Sequence, residues 1–357
     1  MTASPLDIDP PMSTPLDLYR LGFELGLDHA RHGLAPPSKF RIVGHPVCEG
    51  WASGLSTHAT KPLRRLNGPG PSLAMRHWLR LRLNAWCHGE GVDLRTFTPD
   101  LLEKIVPRNH PEAASYCPIT RCALRGIDHH LQEKTPHDAK VVRINTALAW
   151  SEGNVMLVGR NAADALAKLP TAPTQRLQHA LTLLQQLRQQ PKGSSSVSQS
   201  TGQAMIDGLH AGQWARMGVM LSLSTPLKHQ QAAALPLLVL PPHCLQPINP
   251  IQDVQALLTT LWLSPGWSRR RQQIEMLIDR PQPYRTLRRF LDLFVQRLMK
   301  SAHPDQPLMW RWAIEDTWRH TDVLQHWHQF ALQIDATEAE RIKNHANMVL
   351  DTATNHP

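Results

Sequence analysis

With 357 residues, of which 41% are apolar and 19% charged, the chain is long enough for two or three domains with real cores and too apolar for a disordered tail. Its longest apolar run, residues 232–240, is broken by Pro236 and falls short of the ~18–20 residues that a bilayer-spanning helix needs, so no membrane association is expected. Five irregularly spaced cysteines argue against a secreted disulfide framework, and a net charge of +9 favours an acidic partner, nucleic acid being the commonest.

The first residues carry prolines and acids instead of a basic, apolar leader, from which a cytoplasmic location is expected. Residues 1–70 are expected to be loosely structured apart from one helix, Pro15 to about His32. Thr14 is placed to cap it, Pro15 suits its first position, and Gly33 is placed to end it. Leu18, Leu21 and Leu25 form one stripe and Leu16, Phe23 and Leu27 another, the pattern of a helix packed between partners.

Residues 71–190 form the next expected region. Ser72 to His88 has the period of a helix, with Arg76, Arg80 and Arg82 set between its apolar positions. Arg76 and Arg80 are candidate phosphate contacts, or else part of a solvated face. Thr98-Pro99 marks a second helix start. At the centre, residues 116–168 hold Cys117-Pro-Ile-Thr-Arg-Cys122, a His-rich polar loop and two short apolar runs. A Gly153-Asn154 turn lies between Trp150 and Val155, and an Ala-rich helix follows: a ββα unit. Residues 174–190 then read as an amphipathic helix with Leu177, Leu181, Leu184 and Leu187 on its buried stripe.

The Gly/Ser-rich stretch 191–203 reads as a linker and as the domain boundary. Residues 204–357 read as a helical domain, with 237–240 as the one candidate strand and Thr337 as the cap of the last helix. Two features of this half bear on function. Arg269, Arg270, Arg271, Arg285, Arg288 and Arg289 form an arginine-rich group suited to phosphate, and Trp310, Trp312, Trp318 and Trp327 fall at spacings that read as core. The expected fold is therefore mainly α, with a small ββα module near the middle followed by a helical C-terminal domain.

The order Val142-Arg143-Ile144-Asn145, Gly153-Asn154-Val155 and an Ala-rich helix resembles the HNH-type (ββα-metal) endonuclease module, in the version of phage and proteobacterial proteins. Cys117-Pro-Ile-Thr is similar to the knuckle that often precedes it. The resemblance covers about 50 residues, and it implies a divalent ion at the scissile phosphate, a general base on the first strand and a ligand on the helix. In this chain those slots fall on Val142, Arg143 and Ala163, none of which ligates a metal or accepts a proton, while Asn154 keeps its strand-tethering role. The resemblance thus implies a degenerate module in which Arg143 grips phosphate.

Two metal sets remain to be considered. Cys117, Cys122, His129 and His137 are a candidate zinc set, and His129, His130 and Asn154 a candidate catalytic set for a Mg-dependent nuclease with displaced ligands. Non-catalytic binding of nucleic acid, DNA in the first instance, is the expected function. A metal-dependent nuclease and a scaffold whose 203–357 helices bind a partner protein are the alternatives.

Overall fold

The computed structural model describes residues 8–9, 14–31, 44–60, 73–106, 115–125, 135–189, 204–239, 247–263, 267–301 and 307–344, which are mainly helical. They fall into two compact units. One takes in the residues up to Cys117 with 122–143 and 148–160. The other takes in 118–121, 144–147 and everything from Asn161 onward. Along the chain the last change of unit falls between Arg160 and Asn161, and the expected linker 191–203 lies outside the described residues. α6 (Pro173–Gln189) packs on a later helix of the second unit.

In the first unit, β1 (Ile8–Asp9) precedes α1 (Pro15–Arg31), α2 (Pro46–Thr60) and α3 (Leu73–Cys87). β2 (Val92–Asp93) pairs antiparallel with β1, and α4 (Pro99–Ile105) starts where Thr98 Oγ1 accepts the Leu101 amide at 3.2 Å. β3 (Ala139–Arg143) and β4 (Val155–Gly159) form an antiparallel hairpin. Phe97, Leu101, Leu102, Trp150 and Val155 share one small core, and the Trp78 indole closes it by donating to Phe97 O at 2.7 Å.

In the second unit, α5 (Arg160–Ala167) follows the hairpin in sequence and leads to α6. A two-residue hairpin, β5 (Met205–Ile206) and β6 (Leu209–His210), turns at Asp207-Gly208, both at positive φ (51° and 73°). That is the Asp-Gly turn that a right-twisted hairpin favours. α7 (Ala211–Leu223) and α8 (His229–Ala233) follow, then α9 (Pro250–Leu263), α10 (Trp267–Glu275), α11 (Pro281–Ser301), α12 (Pro307–Trp318) and α13 (Thr321–Ala331). A last helix, α14, occupies 336–344.

The second unit has an aromatic centre. Phe290 and Phe294 of α11, Trp318 of α12 and Trp327 and Phe330 of α13 are fully buried, with Trp318 and Trp327 edge-on at 5.4 Å and 87°. These tryptophans are core, as their spacing suggests. A polar clamp joins α7 to α9: Asn249 donates to Ser222 O and Thr225 O at 3.1 and 3.0 Å and accepts from Leu227 N at 2.9 Å. The one side chain thus serves three backbone groups where the chain leaves α7, a place with no regular ladder to pair them.

Several local expectations change. Residues 237–239 are buried but form no strand; Val239 N donates to the Glu315 carboxylate instead of to a neighbouring strand. Asp335, not Thr337, caps the last helix, its Oδ1 accepting Glu338 N at 2.8 Å. On α6, Ala180 takes the buried place expected of Leu181, which is 38% exposed.

The largest change lies in residues 1–70, where the described part holds two helices in backbone contact. Gly22 and Gly26 on α1 face the Val47 and Trp51 carbonyls of α2, and Gly50 and Gly54 face the Tyr19 and Phe23 carbonyls of α1. A Cβ at any of the four would lie 2.0–2.3 Å from a carbonyl oxygen. On an exposed helix Gly→Ala stabilises by about 1 kcal/mol through propensity. Here the obstacle is backbone, which cannot rotate away, and overpacking of this kind costs about 1–3 kcal/mol or more. Gly22→Ala is therefore expected to destabilise the first unit despite the propensity gain. Denaturant unfolding of the variant checks it; a stability equal to or above wild type would show that the two helices separate without cost.

Candidate nucleic-acid interface

The β3–β4 hairpin is the first place to look, because the candidate residues Arg143 and Asn154 lie on and beside it. Its register sets Val142 opposite Met156 and Arg143 opposite Val155. The second strand begins directly after a 3₁₀ turn, Glu152–Asn154. Asn154 is fully buried, and its Nδ2 donates to Ala149 O at 2.9 Å and Leu148 O at 3.4 Å, so the side chain fixes the chain entering β4. It tethers backbone, the strand-fixing role that the resemblance implied for it.

Arg143 is likewise committed. Its Nη2 pairs with the Glu90 carboxylate, its Nη1 donates to Leu148 O at 2.9 Å, and its guanidinium sits 5.5 Å over the Trp150 ring. Burial lowers its pKa, with the Glu90 charge opposing the shift. Trp150 donates its own Nε1–H to the other Glu90 oxygen at 2.8 Å. One carboxylate thus organises both side chains, one of them Arg143, the expected phosphate contact.

The knuckle preceding the hairpin closes through Cys117 N–H to Cys122 O at 3.0 Å, with Tyr116 bridged to Ala123. Cys117 is buried and Cys122 half-buried; both are thiols. His137 is exposed, while His129 and His130 lie outside the described residues. Among the described residues no three His, Cys, Asp or Glu side chains converge to hold a metal ion. The zinc and magnesium expectations therefore acquire no donor set from them.

Asp138, next to His137, has a different task. Its Oδ1 accepts from Thr135 Oγ1 at 2.7 Å, and its Oδ2 accepts from Thr135 N at 2.9 Å and Arg160 Nη2 at 3.2 Å. Burial alone would push the carboxyl up. The Thr135 hydrogen bonds and the Arg160 charge outweigh it and hold the group below the ordinary aspartate range.

The second place is α11. Leu287, Phe290, Leu291, Phe294 and Leu298 face the core, so the helical period turns Arg285, Arg288 and Arg289 to solvent within roughly a 100° arc. Arg285 and Arg289 are exposed, and neither makes a side-chain hydrogen bond or ion pair among the described residues. Arg288 lies 3.8 Å from Glu275 and over the Tyr284 ring. Asp292, in the same arc, is neutralised by Arg271, which spends Nε on Glu275 and Nη2 on Asp292, both at 2.7 Å. Arg271 is therefore a structural clamp between α10 and α11. The side chains of Arg269, Arg270 and Arg76 lie outside what the structure describes, and Arg80 is exposed on α3.

No protein-family model, curated protein or solved structure matches this chain. Sequence reading missed a third charged group, in which Arg121, Arg216, Arg311 and Arg319 gather around Glu315 and Asp316. The i, i+3 and i, i+4 spacing of Asp316 and Glu315 to Arg319 was readable. The approach of Arg121 and Arg216, distant in sequence, was not.

The depressed Asp138 carboxyl gives a pH test of the hairpin. A group lowered in the folded state stabilises fully above its unfolded value of about 3.9, and that contribution is lost as pH falls through the folded value. The stability gap between wild type and Asp138→Asn should hold steady from about pH 7 to about pH 5 and shrink below about pH 4. Denaturant unfolding across that range measures it, and a gap that persists undiminished at the acid end would remove Asp138 as the source.

Proposed function

We propose that the protein binds nucleic acid, duplex DNA in the first instance, through its phosphate backbone, and that the hairpin is a degenerate HNH-like scaffold without catalysis. The observation carrying this is the α11 stripe. Arg285 and Arg289 are exposed one helical turn apart, with no carboxylate of the described residues spent on either. Arg288 stands between them, and the one acid in the arc is already paired. Cations spaced by a turn of helix, on a chain of net charge +9, suit a row of phosphates.

The non-catalytic part of the proposal has separate support. The first-strand slot is Val142, which offers no ligand atom, and the next residue is an arginine held by Glu90. A backbone grip of this kind is weakly selective for sequence, because phosphates are the same along the duplex.

Fluorescence anisotropy with a labelled DNA duplex over a salt series tests the proposal. Each phosphate neutralised contributes about 0.9 to the slope of log affinity against log salt, so Arg285→Gln/Arg288→Gln/Arg289→Gln should flatten that slope by about 2–3. Circular dichroism of the variant should match wild type, since the three side chains face solvent. An unchanged slope would move the interface elsewhere. Absence of any binding at low salt would discard the nucleic-acid reading and leave a partner-protein scaffold; metal-dependent nicking of plasmid would restore the nuclease.

A further inference from the structure

The group around Glu315 and Asp316 contains more positive charge than it uses. Glu315 is buried, and its Oε2 accepts Arg121 Nη2 at 2.9 Å while its Oε1 accepts Val239 N at 3.1 Å. Asp316 takes Arg121 in a two-point grip, at 2.8 Å from Nη1 and 2.7 Å from Nη2. Both Arg121 Nη groups are thus spent on carboxylates, while its buried Nε has no hydrogen-bond partner among the described residues, and the guanidinium lies 5.5 Å over the Trp312 ring. Arg311 donates to Val239 O and adds its charge to the field at Glu315.

Two further guanidiniums share the place without a carboxylate of their own among the described residues. Arg216 of α7 donates Nη1 to Ile119 O at 3.1 Å, a neutral acceptor in the same turn that carries Arg121. Arg319 follows the last turn of α12, three and four residues after Asp316 and Glu315. It makes no side-chain hydrogen bond or ion pair among the described residues, though it is only partly exposed. Among the described residues four guanidiniums therefore stand against two carboxylates, and a guanidinium does not relieve the imbalance by losing its proton. Burial, then the charges of Arg121 and Arg319, lower Arg216 to about 10, and burial with Arg121 lowers Arg319. His210, at the N-cap of α7, is held toward its neutral form by burial and by Arg216, so it does not add to the positive charge.

We infer that Arg216 and Arg319, beside the Arg121–Asp316 pair, form a binding site for a small dianionic oxyanion of the phosphomonoester class. The surplus of two charges matches the near −2 charge of a phosphomonoester at neutral pH better than the single charge of a diester. Planar guanidinium forks match tetrahedral oxyanion edges through paired N–H donors. Asp316 and Glu315 have a defined part: they hold Arg121 and leave the other two cations to the ligand. This site lies apart from the α11 stripe in sequence and does not depend on nucleic-acid binding.

The test is thermal unfolding of the full chain in inorganic phosphate against sodium chloride at equal ionic strength, with dimethyl phosphate as the diester control. Phosphate should raise the melting temperature in a saturating manner, and dimethyl phosphate should do so only weakly. Arg319→Gln removes a side chain that bonds to nothing among the described residues, so in chloride it should melt at or above wild type while its phosphate affinity falls on the order of tenfold or more. Arg319→Lys, which keeps the charge without the fork, should recover part of it. The α11 triple variant should keep the full phosphate response. Protection by phosphate no greater than by chloride, or a full response in Arg319→Gln, would overturn the site; equal protection by dimethyl phosphate would overturn the monoester assignment.

Discussion

Glu315 is the constraint from which much of the second unit follows. A carboxylate removed from water is costly unless charges and donors meet it, and burial pushes the Glu315 carboxyl up while Arg121 and Arg311 oppose the shift. The donors come from places with little regular structure of their own. Residues 118–121 supply Arg121, whose backbone sits in the left-handed region at φ 59°, and residues 237–239 supply the Val239 amide. Without Glu315 both segments would lose the partner that positions them. A buried pair is weak as a source of net stability but strong as a specifier of arrangement, because removing either partner leaves an uncompensated charge.

The first unit relies on a different device. Four glycines, two on each of α1 and α2 and each pair four residues apart, let the helix backbones touch. Each glycine carries a propensity penalty of about 1 kcal/mol, which the extensive close contact must offset. Glu90 plays an organising part in the same unit, holding Arg143 and Trp150 together at the hairpin. In both units a carboxylate, not an apolar group, decides where the arginines of the central stretch go.

This explains which features were legible in the sequence. Helices with a one-sided apolar period, such as α11 and α12, and side-chain caps such as Thr98, depend on neighbours within a few residues. They could be read directly. α2 was hard to read from apolar period, because half of the face it buries, Gly50 and Gly54 beside Val47 and Trp51, is glycine, a residue that locally signals weakness. The Asp207-Gly208 hairpin carried a readable turn signal but strands too short to show alternation. Arginines were legible as a class and not as individuals: among the described residues Arg143, Arg271 and Arg121 are spent on carboxylates, Arg285 and Arg289 are not, and only folding distinguishes them.

The distinction between spent and unspent cations bears on how net charge is turned into function. A charge of +9 describes the field at a distance, which draws in polyanions, but the contact must be made by guanidiniums with no internal partner. An exposed unspent arginine on α11 gives up little hydration until a phosphate arrives, so it suits a weak, salt-sensitive grip on many similar sites. A half-buried one, such as Arg319, is already partly desolvated and repelled by its neighbours in the absence of a ligand. An anion entering there relieves a cost that the fold has already incurred, and affinity per contact is correspondingly higher. The two proposed sites would therefore take different ligands, an extended polyanion on the helix face and a compact dianion at the Glu315 cluster.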